Sequence, residues 1–192
     1  MTHRKPFSLQ DSEPQHSRRR FAGALGTLLA APALLLSRYA PASAAPSRTL
    51  RFDHTHTGEK LTVTYTAGDR YLPSALLEIN RFLRDFRNGD VHAIDPQLLD
   101  QLHMLATLTA SPAPFEVISG YRSPATNNSL RAHSSGVAAH SLHLDGRAID
   151  IRLANVALAD LHEAAVSLRA GGVGFYPGSN FVHIDTGRVR RW

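Results

Sequence analysis

Two short stretches restrict this chain more than anything else in it. One is Ser141-Leu142-His143-Leu144-Asp145-Gly146-Arg147-Ala148-Ile149-Asp150, and the other is Phe181-Val182-His183-Ile184-Asp185. In order they offer imidazole, carboxylate and imidazole, from His143, Asp150 and His183. Three protein ligands with a fourth position left open make up a catalytic zinc site, whereas structural zinc sites are closed and mostly built from cysteine. The chain has no cysteine at all. A fold for this sequence therefore has to bring a loop, the strand that follows it and a second, distant strand to one point. A turn at Gly146 can aim His143 and Asp150 at one ion, with His183 supplied by the neighbouring strand. The helical HExxH arrangement of two ligands is absent.

Periodicity fills in the rest. Thr49–Phe52 and Lys60–Tyr65 read as strands around a turn at Thr57-Gly58, with Leu61, Val63 and Tyr65 alternating with Thr62 and Thr64. Leu76, Leu77, Ile79, Phe82, Leu83 and Phe86 have helical spacing over Pro73–Phe86, and Pro73 suits a first turn. Asp95-Pro96 caps a second helix running through Leu98, Leu99, Leu102, Leu105 and Leu108. Phe115–Ser119, Arg147–Leu153 and Asn180–Asp185 read as strands, Ala125–Leu130 as a short helix and Asn155–Leu168 as a third long one. His133–Ala139 reads as a loop beside the site. Gly171-Gly172-Val173-Gly174 is a turn into a strand and not a phosphate loop, for it lacks the lysine and serine or threonine ending and opens no helix. The plan is α+β, with helices packed on a small, antiparallel sheet and a zinc site at one end.

Residues 1–44 read as an export leader. Arg18-Arg19-Arg20 precedes an uncharged, mostly apolar run from Phe21 to Ser37, and Ala42-Ser43-Ala44 offers a small-residue cleavage site. The arginine pair points to the twin-arginine machinery as a partner. The run is short for a bilayer span and is interrupted by Gly26 and Pro32, so membrane contact is expected only through an uncleaved leader. Residues 45–48 form a linker and 49–192 the functional domain. The full chain carries 21 Lys+Arg and 16 Asp+Glu. Six of the basic and two of the acidic residues lie in the leader, which leaves 15 against 14 in the remaining 148 residues. Nucleic acid is excluded as a partner on charge grounds, because no basic excess remains to neutralise phosphates. The length suits one domain with one core, held together without disulfides.

The ten-residue pattern Ser-x-His-x-x-Gly-x-Ala-x-Asp at 141–150 resembles the signature of the zinc D-alanyl-D-alanine carboxypeptidase and murein endopeptidase family. Ser119-Gly120-Tyr121-Arg122-Ser123 resembles that family's arginine turn, and Phe181-Val182-His183-Ile184-Asp185 stands where it places its last zinc histidine. The leader and the Gly-Phe-Tyr-Pro…Asn-Phe-Val-His-Ile-Asp run are most similar to the exported murein endopeptidase branch. The resemblance spans roughly residues 48–192. It implies a zinc peptidase that hydrolyses peptidoglycan stem peptides or cross-links outside the cytoplasm. It also implies His143, Asp150 and His183 as metal ligands for Zn²⁺. Arg122 would contact the scissile carbonyl or a substrate carboxylate, where a permanently charged guanidinium can stabilise a developing oxyanion.

One position departs from the pattern. Many members of the family carry a carboxylate base three residues before the last histidine, where this chain has Asn180, which cannot accept the proton. Asp185 shares the strand face of His183 and is the first candidate for that base, with His140 second. Asp185 could instead orient a zinc histidine. His133 and Asp145 read as solvated loop residues, and His54, His56, His92 and His103 as surface or boundary residues. Three further readings stay open: a D-Ala-D-Ala carboxypeptidase, a non-catalytic zinc-holding wall-binding module, and a zinc-buffering protein.

Overall fold

The computed structural model of the protein describes residues 45–133 and 137–192. The leader reading of residues 1–44 lies outside the described residues, as does part of the loop expected at 133–139. Along the chain run β1 (Thr49–His54), β2 (Lys60–Thr64), β3 (Thr66–Ala67), β4 (Arg70–Tyr71), α1 (Pro73–Phe82), α2 (Pro96–Leu108), β5 (Phe115–Ser119) and α3 (Pro124–His133). Then follow a 3-10 turn (Leu142–Asp145), β6 (Ala148–Leu153), α4 (Leu158–Ser167), β7 (Gly172–Tyr176), a second 3-10 turn (Pro177–Ser179), β8 (Phe181–Asp185) and β9 (Arg190–Arg191).

The α+β reading holds. Seven strands form one sheet in the order β2-β1-β5-β6-β8-β7-β9, and β3 pairs with β4 apart from it. The sheet is larger than expected and mixed. Four of its pairings are antiparallel, and β1–β5 and β7–β9 are parallel. Two-residue β9 escapes sequence reading because Arg190-Arg191 has neither alternation nor apolar content.

Alternation places the core. Phe52, Phe115, Val117, Ile149, Ile151, Val182 and Ile184 are buried with Ile79, Leu98, Leu99, Leu102, Leu105 and Leu161 of the helices. The intervening residues of β6 and β8, among them Asp150 and His183, therefore face the other side of the sheet. Asp95 caps α2 as expected, its carboxylate accepting the Gln97 N–H at 3.0 Å. Two helical assignments need correction. Leu108 and Leu77 point outward, 56% and 69% exposed. α1 ends at Phe82 instead of Phe86, because the chain turns there to carry Asp85 into the interior.

The histidines at 54 and 56 are not both surface residues. His54 is buried, its ring edge-on to Phe82 and Phe86, while exposed His56 stacks flat on Phe86 at 4.3 Å. The expected linker residue Arg48 is tied down: its N–H donates to Thr66 Oγ1 at 2.9 Å, and its guanidinium pairs with Asp100. Among the described residues no helix is long and apolar enough to cross a membrane.

Candidate metal centre

The site is assembled by register. β6 and β8 are antiparallel neighbours, and Asp150 lies directly opposite His183. His143 arrives from the 3-10 turn that precedes β6. Gly146 ends that turn with φ 64°, a left-handed conformation that costs glycine little. A Cβ there would stand 2.1 Å from the Ala93 carbonyl oxygen, so the close approach of two backbones also requires glycine.

Three atoms converge. His143 Nε2 is 3.2 Å from Asp150 Oδ1 and 3.2 Å from His183 Nδ1, and His183 Nδ1 is 2.8 Å from Asp150 Oδ1. The other nitrogen of each ring is already committed. His143 Nδ1–H donates to the Gly120 carbonyl at 2.7 Å, and His183 Nε2–H donates to Asp185 Oδ2 at 3.2 Å. These partners fix both tautomers, leaving a lone pair on each inward nitrogen. Two lone pairs and a carboxylate oxygen at such distances repel unless a proton or cation sits among them. Bonds of 2.0–2.2 Å to a tetrahedral ion separate its ligands by about 3.3–3.6 Å. The donor set therefore suits a small divalent cation, and its separations of 2.8–3.2 Å would open slightly to bind one.

The surroundings reinforce this. His143 is 1% exposed, Asp150 6% and His183 9%. Burial lowers the proton affinity of His143, whereas at His183 burial is outweighed by Asp150 and Asp185, which raise it. Burial raises the Asp150 carboxyl, but the adjacent His143 and His183 outweigh it and hold the group well below the usual carboxylate range.

Asp185 is fully buried and saturated. Oδ1 accepts from the N–H groups of Gly172 at 3.0 Å and Gly187 at 2.8 Å and from Arg190 Nη1 at 3.1 Å. Oδ2 accepts from Arg190 Nη2 at 2.6 Å and from His183. Burial works against its ionisation, yet the hydrogen bonds from His183, Arg190, Gly187 and Gly172 prevail and keep it a carboxylate.

Arg122 enters from the turn after β5. Its guanidinium lies 3.6 Å from Asp150 Oδ2, it is 8% exposed, and its Nε has no partner among the described residues. Burial lowers its proton affinity, with Asp150 opposing. The turn is clamped from behind: Asp85 Oδ2 accepts the Ser123 N–H at 2.9 Å and the Ser123 hydroxyl at 2.7 Å, and the Tyr121 N–H donates to the Leu83 carbonyl at 2.8 Å.

These groups border an open cavity of about 360 Å³, with exposed His140 at its rim and Tyr176, Phe181 and Trp192 along one wall. Asn180, at φ 53° in the turn before β8, is exposed and is not among the lining residues. Asp145 and His133 are exposed and stand outside the metal cluster. Sequence reasoning missed Asp85, the Gly120 carbonyl, Tyr176, Arg190 and Trp192. The one available signal was Trp192, the sole tryptophan of the chain, a few residues beyond the last histidine motif.

Comparison with known proteins follows the same line. The family model Peptidase_M15_2, described as peptidoglycan L,D-endopeptidase MepK, matches residues 42–192. The peptidoglycan L,D-endopeptidase MepK of Escherichia coli K12 is 44% identical over 176 residues, which cover 92% of this chain and 97% of that protein. The probable peptidoglycan L,D-endopeptidase MepK of Haemophilus influenzae is 40% identical over 177 residues, covering 92% and 95%. No solved structure matches. The chain belongs to the Peptidase_M15_2 family of peptidases.

Proposed function

We propose that the protein is a zinc-dependent peptidoglycan endopeptidase that cleaves cross-links at a bond between an L- and a D-centre. The carrying observation is the convergence of His143 Nε2, Asp150 Oδ1 and His183 Nδ1 within 3.2 Å of one another, each histidine held in the ligating tautomer. Kinship with endopeptidases over nearly the whole chain supports the substrate class.

In this reading His143, Asp150 and His183 hold Zn²⁺, which supplies Lewis-acid polarisation of the scissile carbonyl and acidification of water. Arg122, desolvated and with no partner for Nε among the described residues, presents a fixed positive charge to the oxygen on which negative charge grows. Asp85 keeps that guanidinium in place by fixing Ser123. Asp185 orients His183. Its lone pairs are taken by backbone N–H groups, Arg190 and His183, which argues against a role as proton acceptor from solvent. The open cavity beside His140 leaves that imidazole free to take the proton.

The same reading places the protein outside the cytoplasm, with residues 1–44 as a twin-arginine leader, 45–48 as linker and 49–192 as the peptidase domain. N-terminal sequencing of exported protein should then begin at residue 45. A chain recovered intact from the membrane fraction would contradict cleavage.

The test of function is digestion of purified, cross-linked peptidoglycan with separation of products by mass, with added zinc and with a chelator. Zinc-dependent conversion of dimers to monomers cut at an L,D bond is expected. Release of terminal D-alanine alone would make the protein a carboxypeptidase, and no cleavage by zinc-loaded protein would leave only a wall-binding role.

A further inference from the structure

The wall of the cavity opposite in chain order to the arginine turn is built around one phenol. Trp192 Nε1–H donates to the hydroxyl oxygen of Tyr176 at 2.8 Å. The indole N–H can only donate, so the phenol oxygen accepts and its own hydrogen remains unused. No acceptor for it occurs among the described residues. The Tyr176 ring stacks on Phe181 at 4.6 Å, and Pro177 fixes the chain immediately after it. The hydroxyl is thus pre-oriented on both sides, with its proton available to the cavity.

A second observation shows that this arrangement is built into the sheet. Gly174 is paired across β7 and β8 with His183. A Cβ at Gly174 would lie 2.7 Å from Trp192 Cε2 and 2.8 Å from Tyr176 Cε2. Glycine inside a strand costs about 0.5–1 kcal/mol relative to alanine. Here it makes room for the tryptophan and the tyrosine next to a metal ligand, and the indole comes within 5.3 Å of the His183 ring. Tyr176 and Arg122 line the same cavity as His143, Asp150 and His183.

Resting on the endopeptidase reading, we infer that Tyr176 is a catalytic residue: its hydroxyl donates a hydrogen bond to the peptide oxygen on which charge develops, as a second donor beside Arg122. Trp192 is a positioning residue that holds the phenol by its N–H. Such a donor acts in the transition state more than in the ground state, so its loss falls on kcat and not on KM.

Tyr176→Phe keeps the ring and its stack and removes only the hydroxyl. Steady-state cleavage of a soluble cross-linked dimer is expected to show kcat lower by about 10–100-fold, with KM within about twofold of the parent. Metal content should stay at one ion per chain. A phosphinate dipeptide, whose tetrahedral oxygens resemble the transition state, should bind the variant more weakly by the same factor as the fall in kcat. Trp192→Phe, which retains an aromatic ring without the N–H, should show a smaller fall of the same kind. A Tyr176→Phe enzyme with parental kcat, one that loses its metal, or one with parental phosphinate affinity would overturn the inference. An inactive parent enzyme would remove the endopeptidase reading and this inference with it, whereas an active parent with an unimpaired variant would remove the inference alone.

Discussion

Among the described residues, two close histidine pairs have nearly the same ring geometry and different chemistry. His143 and His183 lie 5.0 Å apart at 61°, and His54 and His56 lie 6.1 Å apart at 63°. In the first pair, oxygen acceptors take the outward N–H of each ring, so two lone pairs meet a carboxylate. In the second, the Nδ1 lone pair of His54 is consumed by the His56 backbone N–H at 3.2 Å. Its Nε2 faces phenylalanine rings and has no hydrogen-bond partner among the described residues. Burial, with His56 adding to it, pushes the His54 proton affinity down to about 4. What separates the candidate ligand pair from the packed pair is therefore where each ring's second nitrogen goes, and spacing along the chain does not reveal that.

The comparison can be broken most directly at the ligands. His143→Ala or Asp150→Ala should lose more than about 100-fold in metal affinity and leave no detectable cleavage, since two remaining ligands cannot close the site. His54→Leu should leave both properties at parental values. Retention of metal by the first two variants, or its loss in the third, would reverse the distinction.

The pairs also differ in how they couple to pH. His54 binds its proton more weakly in the folded chain than in the unfolded one, at about 4 against 6.5. Its contribution to stability is complete above pH 6.5 and is lost progressively as the pH falls toward 4, by no more than about 3 kcal/mol. Urea midpoints at pH 7 and pH 4.5 should fall further in the parent than in His54→Leu. Parallel falls would show that His54 is not the responsible group.

Asp185→Asn should weaken metal binding by about 10–100-fold, as expected when a ligand histidine loses its orienting carboxylate. A competition titration with a fluorescent chelator measures it, and parental affinity would reduce Asp185 to a brace for Arg190. Asp85→Asn should lower activity by about 10-fold with the metal retained, because it loosens only the turn that carries Arg122. Metal loss in that variant would mean that Asp85 supports the whole site. Asn180→Ala is expected to change kcat/KM by less than about twofold, since the side chain is exposed and borders no part of the cavity. A loss as large as that of a ligand variant would make Asn180 part of the chemistry.

The convergence of the candidate metal ligands was legible in sequence because its information is local. His143, Gly146 and Asp150 sit within eight residues, and strand alternation puts His183 on the face of Asp150 once β8 pairs with β6. The long strands and helices were legible from apolar period. What the sequence withheld depends on distant backbone meeting backbone. Nothing near Asp85 announces that it will accept from Ser123, 38 residues away. His54 read as a surface residue because histidine has no strong burial preference, and Phe82 and Phe86, which cover it, come from the end of α1 and the turn after it. Gly174 looked like part of a glycine turn, whereas it clears space for Trp192, which returns along β9 to reach it. Leu77 and Leu108 fit a helical apolar stripe in composition but fall at its edges, where the sheet does not reach.

The most direct measurement is metal stoichiometry by mass spectrometry on the purified parent, His143→Ala and a His54→Leu/His56→Ala double variant, each dialysed against the same zinc buffer. One zinc per chain in the parent and in the double variant, with none in His143→Ala, is the predicted result. Zinc retained by His143→Ala, or lost from the double variant, would contradict the assignment of His143, Asp150 and His183 as the metal centre.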